Sequence, residues 1–451
     1  MTSAVDAAIG AYHELLTDEV AEESAAQLDA QQVSRGLYFG DRPLCSVVRP
    51  RFFTPAQWQM LQARSMVVLR AFRAAHRAAL ADPALLAQFR LAEWEQSLVH
   101  VAPGFRDPSP VSRLDAFFVG DDGLQFTEYN AETPAGGGYN DALAEMFFVM
   151  PVMRRFAATW DVRAMPARHN VLQALLDCWE QFSRGTRKPR IAIIDWREVP
   201  TQSEFRLFQD YFTRQGYQCD IVTPQACEFS GGVLRHAGGT IDVIYKRVLL
   251  HELVAREGLA NPILDAVRAG GVCMVNPPSC KILHKKASLA VLSDERNAHL
   301  FADDERRAIA ATIPWTRVVE VRRTAHRGRD VDLLEHVAAN RDHLVLKPND
   351  DYGGKGIVLG WEVTAERWEA ALATALTEPY IVQQRIALPT EPYPSMVNGH
   401  VEFLDRMVDT APYVAGGTYL DGCLSRLGTA ALLNVTSGGG SQTPSFIVER
   451  R

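Results

Sequence analysis

Apolar positions recur every three to four residues through much of the first hundred residues, which is the spacing of amphipathic helices. The pattern predicts helices within residues 4–33 and 55–100. Thr54-Pro55 supplies a start signal for the second stretch, because threonine can cap a helix and proline fits its first turn. From 112 to 130 the period shortens to two, which predicts a β-hairpin around the turn residues Gly120-Asp121-Asp122-Gly123.

The apolar runs in the rest of the chain predict alternating strands and helices. A glycine-rich run at 134–138 leads into helices that extend to about residue 183. Apolar runs follow at 189–195, 219–222, 241–245 and 272–275, with helical stretches at 202–215 and 253–269, and this order is typical of a parallel sheet built from βαβ units. After residue 285 the pattern predicts a helical segment, strands at 344–347, 357–359 and 380–383, a helix at 364–376, and then short strands with glycine-rich turns.

The predicted hairpin carries polar side chains on one face. Side chains two apart on a strand share a face, so Arg113 lies beside Asp115, and Glu128 lies beside Asn130. A two-residue turn within 121–123 places both pairs on the same side, and closure on its two aspartates sets Asp115 opposite Glu128. Like charges in that position are destabilising unless solvent separates them or a cation lies between them. The hairpin alone leaves two interpretations open, a Mg²⁺–phosphate site and the polar outer face of an amphipathic hairpin.

Composition narrows the class of protein. The length of 451 residues indicates two or three subdomains, and 47% apolar with 22% charged residues is typical of a globular chain. A net charge of −7 without a basic run gives no sign of a nucleic-acid partner, and the most apolar run is too short to span a membrane. Seven scattered cysteines without a CxxC pair argue against a disulfide scaffold or a zinc site. With no secretory leader at the N-terminus, we expect a reducing, cytoplasmic location.

A second glycine-rich segment, Lys347-Pro348-Asn349-Asp350-Asp351-Tyr352-Gly353-Gly354-Lys355-Gly356, lies between two predicted strands. Its glycine N–H groups can approach phosphate oxygens, because no Cβ stands in the way. The segment has neither the P-loop pattern nor the GxGxxG fingerprint of dinucleotide-binding folds. Lys347 ends an apolar strand and needs an anion or a path to solvent. A hairpin flap over a nucleoside triphosphate fits these features; a glycine-rich turn beside a solvated lysine is the alternative.

The pattern Lys-Pro-x-x-x-x-Gly-Gly-x-Gly, followed by a helix and a Tyr-Ile-Val-Gln-Gln strand, resembles the nucleotide half of ATP-grasp ligases. In most of these ligases the metal-binding acidic and asparagine residues come after that half. Here Arg-x-Asp at 113–115 and Glu-Tyr-Asn-Ala-Glu-Thr-Pro at 128–134 precede it. That order is similar to the circularly permuted ATP-grasp enzymes, in particular the synthetase domain of glutathionylspermidine synthase, over roughly residues 95–450.

The resemblance implies roles for individual residues. Arg113 corresponds to a catalytic arginine that contacts phosphate, and Asp115, Glu128 and Asn130 match the magnesium ligands of the family. Lys347 and a second lysine would hold nucleotide phosphates; the second is Lys286, with Lys281 as the alternative. The other implied nucleotide contacts are Tyr352, Gly353, Gly354, Lys355 and Gly356 of the flap, Gln383 at the adenine hinge, and Arg426 near the C-terminus.

The resemblance also implies the architecture, an α/β (mixed α+β), circularly permuted ATP-grasp fold. Its expected parts are a helical N-terminal region (1–100), the Mg²⁺- and phosphate-binding part of the core (101–185), a pre-ATP-grasp-like subdomain with a parallel sheet (186–284), and the nucleotide-binding lid with the C-terminal strands (285–451).

The activity implied by the resemblance is ADP-forming ligation of a carboxylate to an amine through an acyl phosphate, with ATP and two Mg²⁺ ions. The partners would be small-molecule substrates, with no nucleic acid and no membrane. The stretch after Glu-Thr-Pro is Ala-Gly-Gly-Gly-Tyr, where the synthases have Thr-Ser-Leu-Leu-Glu, so neither glutathione nor a polyamine follows as a substrate. Two other functions stay open: a small-molecule kinase that stops at phosphorylation, and a non-catalytic nucleotide-binding scaffold.

Overall fold

The structure is a computed structural model that describes residues 4–39, 42–119, 123–351, 353–429 and 440–451. Helices and strands alternate along these ranges, and both parallel and antiparallel sheets are present, as the α/β prediction requires. No helix in the described ranges is long and apolar enough to cross a membrane.

The N-terminal region is mainly helical, but it also contains short strands that the sequence pattern does not predict. Thr54 caps the longest helix: its Oγ1 accepts from the N–H of Gln57, and Gln57 Oε1 accepts from the N–H of Thr54, both at 3.1 Å. The third strand pairs in parallel with the last strand of the chain, so the predicted helical region also contributes to a sheet. The elements are α1 (Ala4–Glu14), α2 (Asp18–Arg35), β1 (Tyr38–Phe39), β2 (Arg42–Pro43), β3 (Arg51–Phe53), α3 (Pro55–Ala81), α4 (Pro83–Ala87) and α5 (Glu93–Leu98).

The predicted hairpin is formed by β4 (Val111–Val119) and β5 (Gly123–Asn130). Near the turn, Val119 pairs with Gly123, one residue away from the register that closure on the two aspartates would give, although the turn itself lies outside the described residues. A bulge, in which Thr127 is the extra residue of β5, restores the register further along. Asp115 therefore lies opposite Glu128 as predicted, but for a reason that the sequence pattern does not reveal.

Helices and one unpredicted strand follow the hairpin. They are α6 (Gly137–Val149), α7 (Pro151–Phe156), β6 (Trp160–Ala164) and α8 (Arg168–Ser183). The predicted run of helices to residue 183 is thus interrupted by β6, which pairs antiparallel with the last strand of the chain.

The next region forms the predicted parallel sheet, with strand order β13-β12-β7-β8. The predicted helix at 253–269 is two helices, because the chain turns at Gly258 and Asn261 caps a new helix by accepting from the N–H groups of Ile263 and Leu264. The elements are β7 (Ile191–Ile194), α9 (Gln202–Arg214), β8 (Cys219–Val222), β9 (Glu228–Ser230), β10 (Val233–His236), β11 (Gly239–Thr240), β12 (Val243–Lys246), α10 (Leu250–Glu257), α11 (Pro262–Arg268) and β13 (Cys273–Val275).

A second, antiparallel sheet carries the glycine-rich segment between two of its strands. Its order is β14-β19-β17-β18, and the glycine-rich segment connects β17 to β18. The elements of this region are α12 (Cys280–His284), α13 (Ala287–Ser293), α14 (Asp303–Thr312), β14 (Thr316–Val318), β15 (Arg323–His326), β16 (Arg329–Asp332), α15 (Leu333–Ala339), β17 (Leu344–Pro348), β18 (Val358–Leu359), α16 (Ala365–Thr377) and β19 (Tyr380–Gln384).

The C-terminal strands join the early hairpin in one antiparallel sheet, with order β20-β21-β23-β22-β4-β5 and β24 paired to β23. These strands are β20 (Thr390–Val397), β21 (His400–Val408), β22 (Ala411–Ala415), β23 (Tyr419–Gly428) and β24 (Ser441–Thr443). The last strand, β25 (Ser445–Arg450), lies between β3 and β6 in a separate sheet. Pairing of β22 with β4 brings residues some three hundred positions apart into one sheet, for example Tyr413 opposite Arg113.

The two faces of the hairpin have different environments. Leu114 and Phe126 on one face are fully buried in a core cluster that includes side chains of α3, and Phe72 of α3 packs on Tyr129 at a ring-centroid distance of 4.6 Å. Burial of such side chains contributes about 1.5–3 kcal/mol each. This packing holds the hairpin in place while its polar face is turned toward a cavity.

Candidate active site

The polar face of the hairpin lies inside a cavity of about 380 Å³. Arg113 and Asp115 are only 7% and 3% exposed, so this face is not a solvated outer surface. Glu128 and Asn130 line the same cavity from the paired strand. The burial therefore argues against the interpretation of this face as the outer surface of an amphipathic hairpin.

Residues from the second half of the chain also line the cavity. It is lined by Lys347, Gly353, Gly354, Gln383 and Arg426 in addition to the hairpin residues. Lys286 reaches the site by contacting Glu128, whereas the side chain of Lys355 is exposed and does not line the cavity. Gly356 has a φ of +70°, and a Cβ there would lie 2.7 Å from Pro348, which explains the glycine at this end of the flap. Tyr352 lies outside the described residues.

Asp115 is held between two arginines. Arg113 donates through Nε to Oδ1 at 2.7 Å and through Nη2 to Oδ2 at 3.1 Å, and Arg426 Nη2 donates to Oδ2 at 2.7 Å. Arg426 also donates to the buried carboxylate of Asp409 at 2.6 Å. Burial would raise the pKa of Asp115, but the two guanidinium groups more than offset it and hold that pKa well below its usual value. Asp115 is therefore ionised at neutral pH.

Glu128 faces Asp115 and is paired with a different cation. Its Oε1 lies 2.9 Å from Lys286 Nζ, which also donates to the carbonyl of Asp351 at 2.7 Å. Burial raises the pKa of Glu128 and the charge of Lys286 lowers it, with the net effect below the usual value. Lys286 thus joins the hairpin to the start of the glycine flap.

Lys347 is a cation without a carboxylate partner among the described residues. Its Nζ donates to Gln383 Oε1 at 2.7 Å and to the carbonyl of Thr127 at 3.4 Å. Burial lowers its pKa to about 8, a change that nearby Glu128 opposes and Lys286 reinforces. A buried, incompletely paired ammonium group of this kind is suited to an anionic ligand.

The wall around Gln383 is suited to a flat ring. Gln383 Nε2 donates to Thr316 Oγ1 at 3.0 Å, so its side-chain amide is already bonded at both ends. The neighbouring lining consists of Val345, Ile357, Leu359 and Trp361, with the guanidinium of Arg385 lying 4.0 Å from the centroid of the Trp361 ring. These residues lie on, or directly beside, strands of the sheet that holds the flap.

Lys281, the alternative second lysine, lies in a buried ion cluster beneath the flap. Its Nζ contacts Asp350 Oδ1 at 2.6 Å and Glu132 Oε2 at 3.1 Å, and Lys285 contacts Asp350 Oδ2 at 2.7 Å and Glu95 at 2.8 Å. Burial would lower the pKa of Lys281, but Glu132 and Asp350 raise it above its ordinary value. The cluster fixes the base of the flap, and of the two lysines only Lys286 contacts a predicted metal ligand.

Sequence reasoning missed the residues that hold the site in place. Glu132 and Asp350 stand inside the motifs quoted from the sequence, but their lysine partners are 65 to 149 residues away. Asp409 lies behind Arg426 in the same way, with no motif of its own. No spacing rule links residues so far apart, and Glu132, Asp350 and Asp409 all lie just outside strands, so no local pattern in the sequence indicates these pairings.

A family match covers most of the chain and spans both halves of the cavity. The model of the family described as circularly permuted ATP-grasp type 2 matches residues 87–428. The chain belongs to this family. The resemblance found in the sequence is thereby confirmed, and with it the prediction of a circularly permuted ATP-grasp fold.

The chain is also similar to individual proteins. The chain is 26% identical to a putative glutamate–cysteine ligase 2-3 of Frankia alni and 25% identical to a putative glutamate–cysteine ligase 2-2 of Frankia casuarinae, each over 95% of this chain. The chain spans about half the length of these relatives, 50% in both cases. A glutathione synthetase-like effector from Globodera pallida, solved in its apo form, has a similar fold, with a TM-score of 0.61, 15% identity and coverage of 95% of this chain and 96% of that one.

The ATP-grasp family uses ATP with a divalent cation, and the donor set of this cavity fits such an ion. Asp115 and Glu128 supply carboxylate oxygens from adjacent strands, and Asn130 adds an amide oxygen; its buried amide nitrogen has no hydrogen-bond partner among the described residues. Oxygen donors of this kind suit Mg²⁺. Within the described ranges no group of three or more His, Cys, Asp and Glu side chains is arranged to hold a metal, so an ion here would also need phosphate oxygens.

The lowered pKa of Lys347 predicts that nucleotide binding weakens at alkaline pH. Bound phosphates favour the protonated lysine, whereas above pH 8 the free protein increasingly holds it neutral. The Kd for MgATP is therefore expected to rise about tenfold between pH 7.5 and 9. Calorimetric titration of MgATP at several pH values measures this effect.

A Lys347→Arg variant is the control for this pH dependence, because arginine stays protonated throughout the range. Its Kd for MgATP should change little between pH 7.5 and 9. An equal pH dependence in the variant and the natural protein would contradict the assignment of the titrating group to Lys347.

Proposed function

We propose that the chain is an ADP-forming ligase that joins a small-molecule carboxylate to an amine through an acyl phosphate. The observation that carries the proposal is one cavity lined by the polar face of the hairpin and by Lys347 with the flap glycines. Two opposed carboxylates, a free amide and an incompletely paired lysine are the groups that a magnesium-bound triphosphate needs. Membership of the ATP-grasp family supports the use of ATP.

In the first half-reaction, an oxygen of the substrate carboxylate attacks the γ-phosphorus of ATP, and ADP leaves. Negative charge spreads over the phosphoryl oxygens during this step, and Arg113 is a donor already oriented by Asp115. Lys347 and Lys286 neutralise the nucleotide phosphates. Lys286 is within reach because its ammonium group lies against Glu128 at the cavity.

In the second half-reaction, the amine nitrogen attacks the acyl carbon, the bond from that carbon to the phosphate oxygen breaks, and the nitrogen loses a proton. The products are an amide and inorganic phosphate. Gly353 and Gly354 of the flap border the cavity and exclude water from the acyl phosphate. No nucleophilic side chain takes part, in agreement with the burial of all seven cysteines.

In the proposal, two Mg²⁺ ions would be held by Asp115, Glu128 and Asn130. When bound, they would neutralise charge on the phosphate oxygens. The names of the two Frankia relatives support the reaction class, since they describe the ligation of two amino acids. They do not determine the substrates of this chain, which spans half of their length.

Trapping with hydroxylamine tests the proposal. The purified chain is incubated with MgATP, pools of small carboxylic acids and hydroxylamine, and both ADP and hydroxamate are measured. We expect ADP and hydroxamate in equal amounts with at least one acid, because hydroxylamine replaces the natural amine in attacking the acyl phosphate.

A phosphorylated product that is stable to hydroxylamine, with ADP but no hydroxamate, would instead identify a kinase. MgATP binding without ADP release from any pool would favour the non-catalytic scaffold. A Lys347→Met variant gives the background, because it removes the phosphate-binding charge while keeping an unbranched side chain at the same position.

A further inference from the structure

One stretch of the cavity lining consists of residues whose own side chains are uncharged. It is formed by the segment after the hairpin and by loops of the parallel sheet, and we name it the acceptor side; its lining residues are Thr133, Ala135, Gly136, Tyr139, Thr201 and Leu249. The wall near Gln383 comes from a different sheet, the one that carries the flap. The acceptor side is therefore the part of the cavity available to a second ligand beside the nucleotide.

The start of α6 looks like an anion site, because three consecutive glycines precede and open the helix. Two of the three glycine amides are already bonded to a side chain of the protein. The N–H groups of Gly136 and Gly138 donate to Glu204 Oε1 at 2.7 and 3.1 Å, and Glu204 is fully buried. A Cβ on Gly138 would lie 2.9 Å from Glu204 Cγ, so the glycine is what lets this carboxylate approach. A substrate carboxylate cannot use these amides.

The cations behind the acceptor side are paired as well. Arg247 donates to Glu204 at 3.2 Å and to the carbonyl of Pro134 at 2.8 Å. Lys246 lies 3.1 Å from Glu132. Both side chains are buried, so neither offers a free positive charge to a ligand.

The remaining cations of the cavity lie on other elements, and Arg113 is the one that borders the acceptor side, where its Nη1 donates to the carbonyl of Ala135 at 2.8 Å. Among the described residues these are Arg113, Lys347, Arg385 and Arg426; Arg113 and Arg426 hold Asp115, and Arg385 stacks on Trp361. Burial lowers the pKa of His284, the one histidine among the described lining residues, to about 4, which leaves it neutral. The sequence places no lysine, arginine or histidine outside the described ranges. Because Arg113 is already bonded to Asp115 and to Ala135, a second negative charge on a ligand at the acceptor side would thus find no unpaired cation among the residues that border it.

The acceptor side does offer hydrogen bonds to uncharged groups. The hydroxyls of Thr133 and Thr201 have no hydrogen-bond partner in the described part of the chain, and the hydroxyl of Tyr139 is within 2.8 Å of Ser203 Oγ. Leu249 adds an aliphatic surface. We infer that the acid substrate is a monocarboxylate whose body beyond the reacting group is uncharged, with amide or hydroxyl groups and an aliphatic part; this inference rests on the proposed ligase function.

A pair of acids that differ only in their distal group tests the inference. Glutaramate and glutarate have the same chain, but the first ends in a carboxamide and the second in a second carboxylate. With MgATP and hydroxylamine, kcat/KM for hydroxamate formation is expected to be at least about 100-fold higher for glutaramate, because the distal carboxylate would be buried without a counter-ion. Equal or greater use of glutarate would overturn the inference while leaving the ligase proposal intact. ADP release without hydroxamate from either acid would overturn the ligase proposal itself.

Introducing the missing charge should reverse this preference. Leu249→Arg is expected to raise kcat/KM for glutarate about tenfold or more relative to glutaramate, since an arginine can pair with the distal carboxylate. Leu249→Met is the matched control, with similar length and no charge, and should keep the original preference. Thr201→Lys places a cation at a second position of the acceptor side in case the first variant does not fold. Folded charge variants that leave the ratio of the two acids unchanged would count against the inference.

Discussion

Glu128→Gln is expected to lower Mg²⁺-dependent ADP release about 10²- to 10³-fold while the chain stays folded. The substitution removes one of the two carboxylate charges that face each other across the hairpin and keeps the shape of the side chain. Glu128 is 27% exposed in its side chain and has a single ion pair with a described residue, Lys286 at 2.9 Å, so little stability depends on its charge. Steady-state ADP release as a function of Mg²⁺ concentration, together with thermal unfolding, measures both effects.

The same substitution at an exposed site provides the control. Glu362→Gln changes a carboxylate that is exposed and does not line the cavity. It should leave both ADP release and its Mg²⁺ dependence unchanged. Partial rescue of Glu128→Gln by higher Mg²⁺ would support a role in cation binding, whereas ADP release equal to that of the natural chain at every Mg²⁺ concentration would contradict it.

The hairpin illustrates how far the sequence could predict this site. Alternation of polar and apolar residues was enough to place Arg113, Asp115, Glu128 and Asn130 on one face, since one buried face specifies the register of a strand pair. Alternation alone does not predict the bulge at Thr127, which offsets the one-residue difference in pairing at Val119 and Gly123 so that Asp115 still faces Glu128. The predicted opposition of Asp115 and Glu128 was confirmed although the register near the turn was wrong.

Residues that position the site through contacts with other residues could not be identified from the sequence. The motif around Ala135-Gly136-Gly137-Gly138 indicates a close approach of some group to the backbone, but Glu204, which makes that approach, is 66 residues from Gly138. The ion cluster of Lys281 and Lys285 with Asp350 is likewise formed by residues that are far apart in the sequence. Local patterns report which positions need special backbone geometry or buried charge, while the partners depend on how strands and helices are brought together.

Asp115→Asn is expected to abolish ADP release and also to destabilise the chain by about 3–5 kcal/mol, which distinguishes it from Glu128→Gln. Asp115 is 3% exposed and accepts from both Arg113 and Arg426. An asparagine has one oxygen to accept with and presents an amide nitrogen to a guanidinium, so a buried charge loses its partner. Urea unfolding, with ADP release measured on the folded fraction, separates the two consequences.

Asp409→Asn is the control for Asp115→Asn, because it also alters a buried carboxylate that bonds Arg426. Asp409 is fully buried and bonds Arg426 at 2.6 Å, but it does not line the cavity, so it should cost stability while reducing ADP release far less than Asp115→Asn does. The free energy of unfolding that is lost in Asp115→Asn should also depend on pH with a definite sign. The folded-state pKa of Asp115 is held below its usual value. The stabilisation from its charge is therefore present above about pH 4, the unfolded pKa, and declines as the pH falls below it. The difference in free energy of unfolding between the natural chain and Asp115→Asn should therefore be constant from pH 8 to about pH 5 and shrink in more acidic solution. If Asp115→Asn and Asp409→Asn lost ADP release equally, Asp115 would have only the structural role of orienting Arg426.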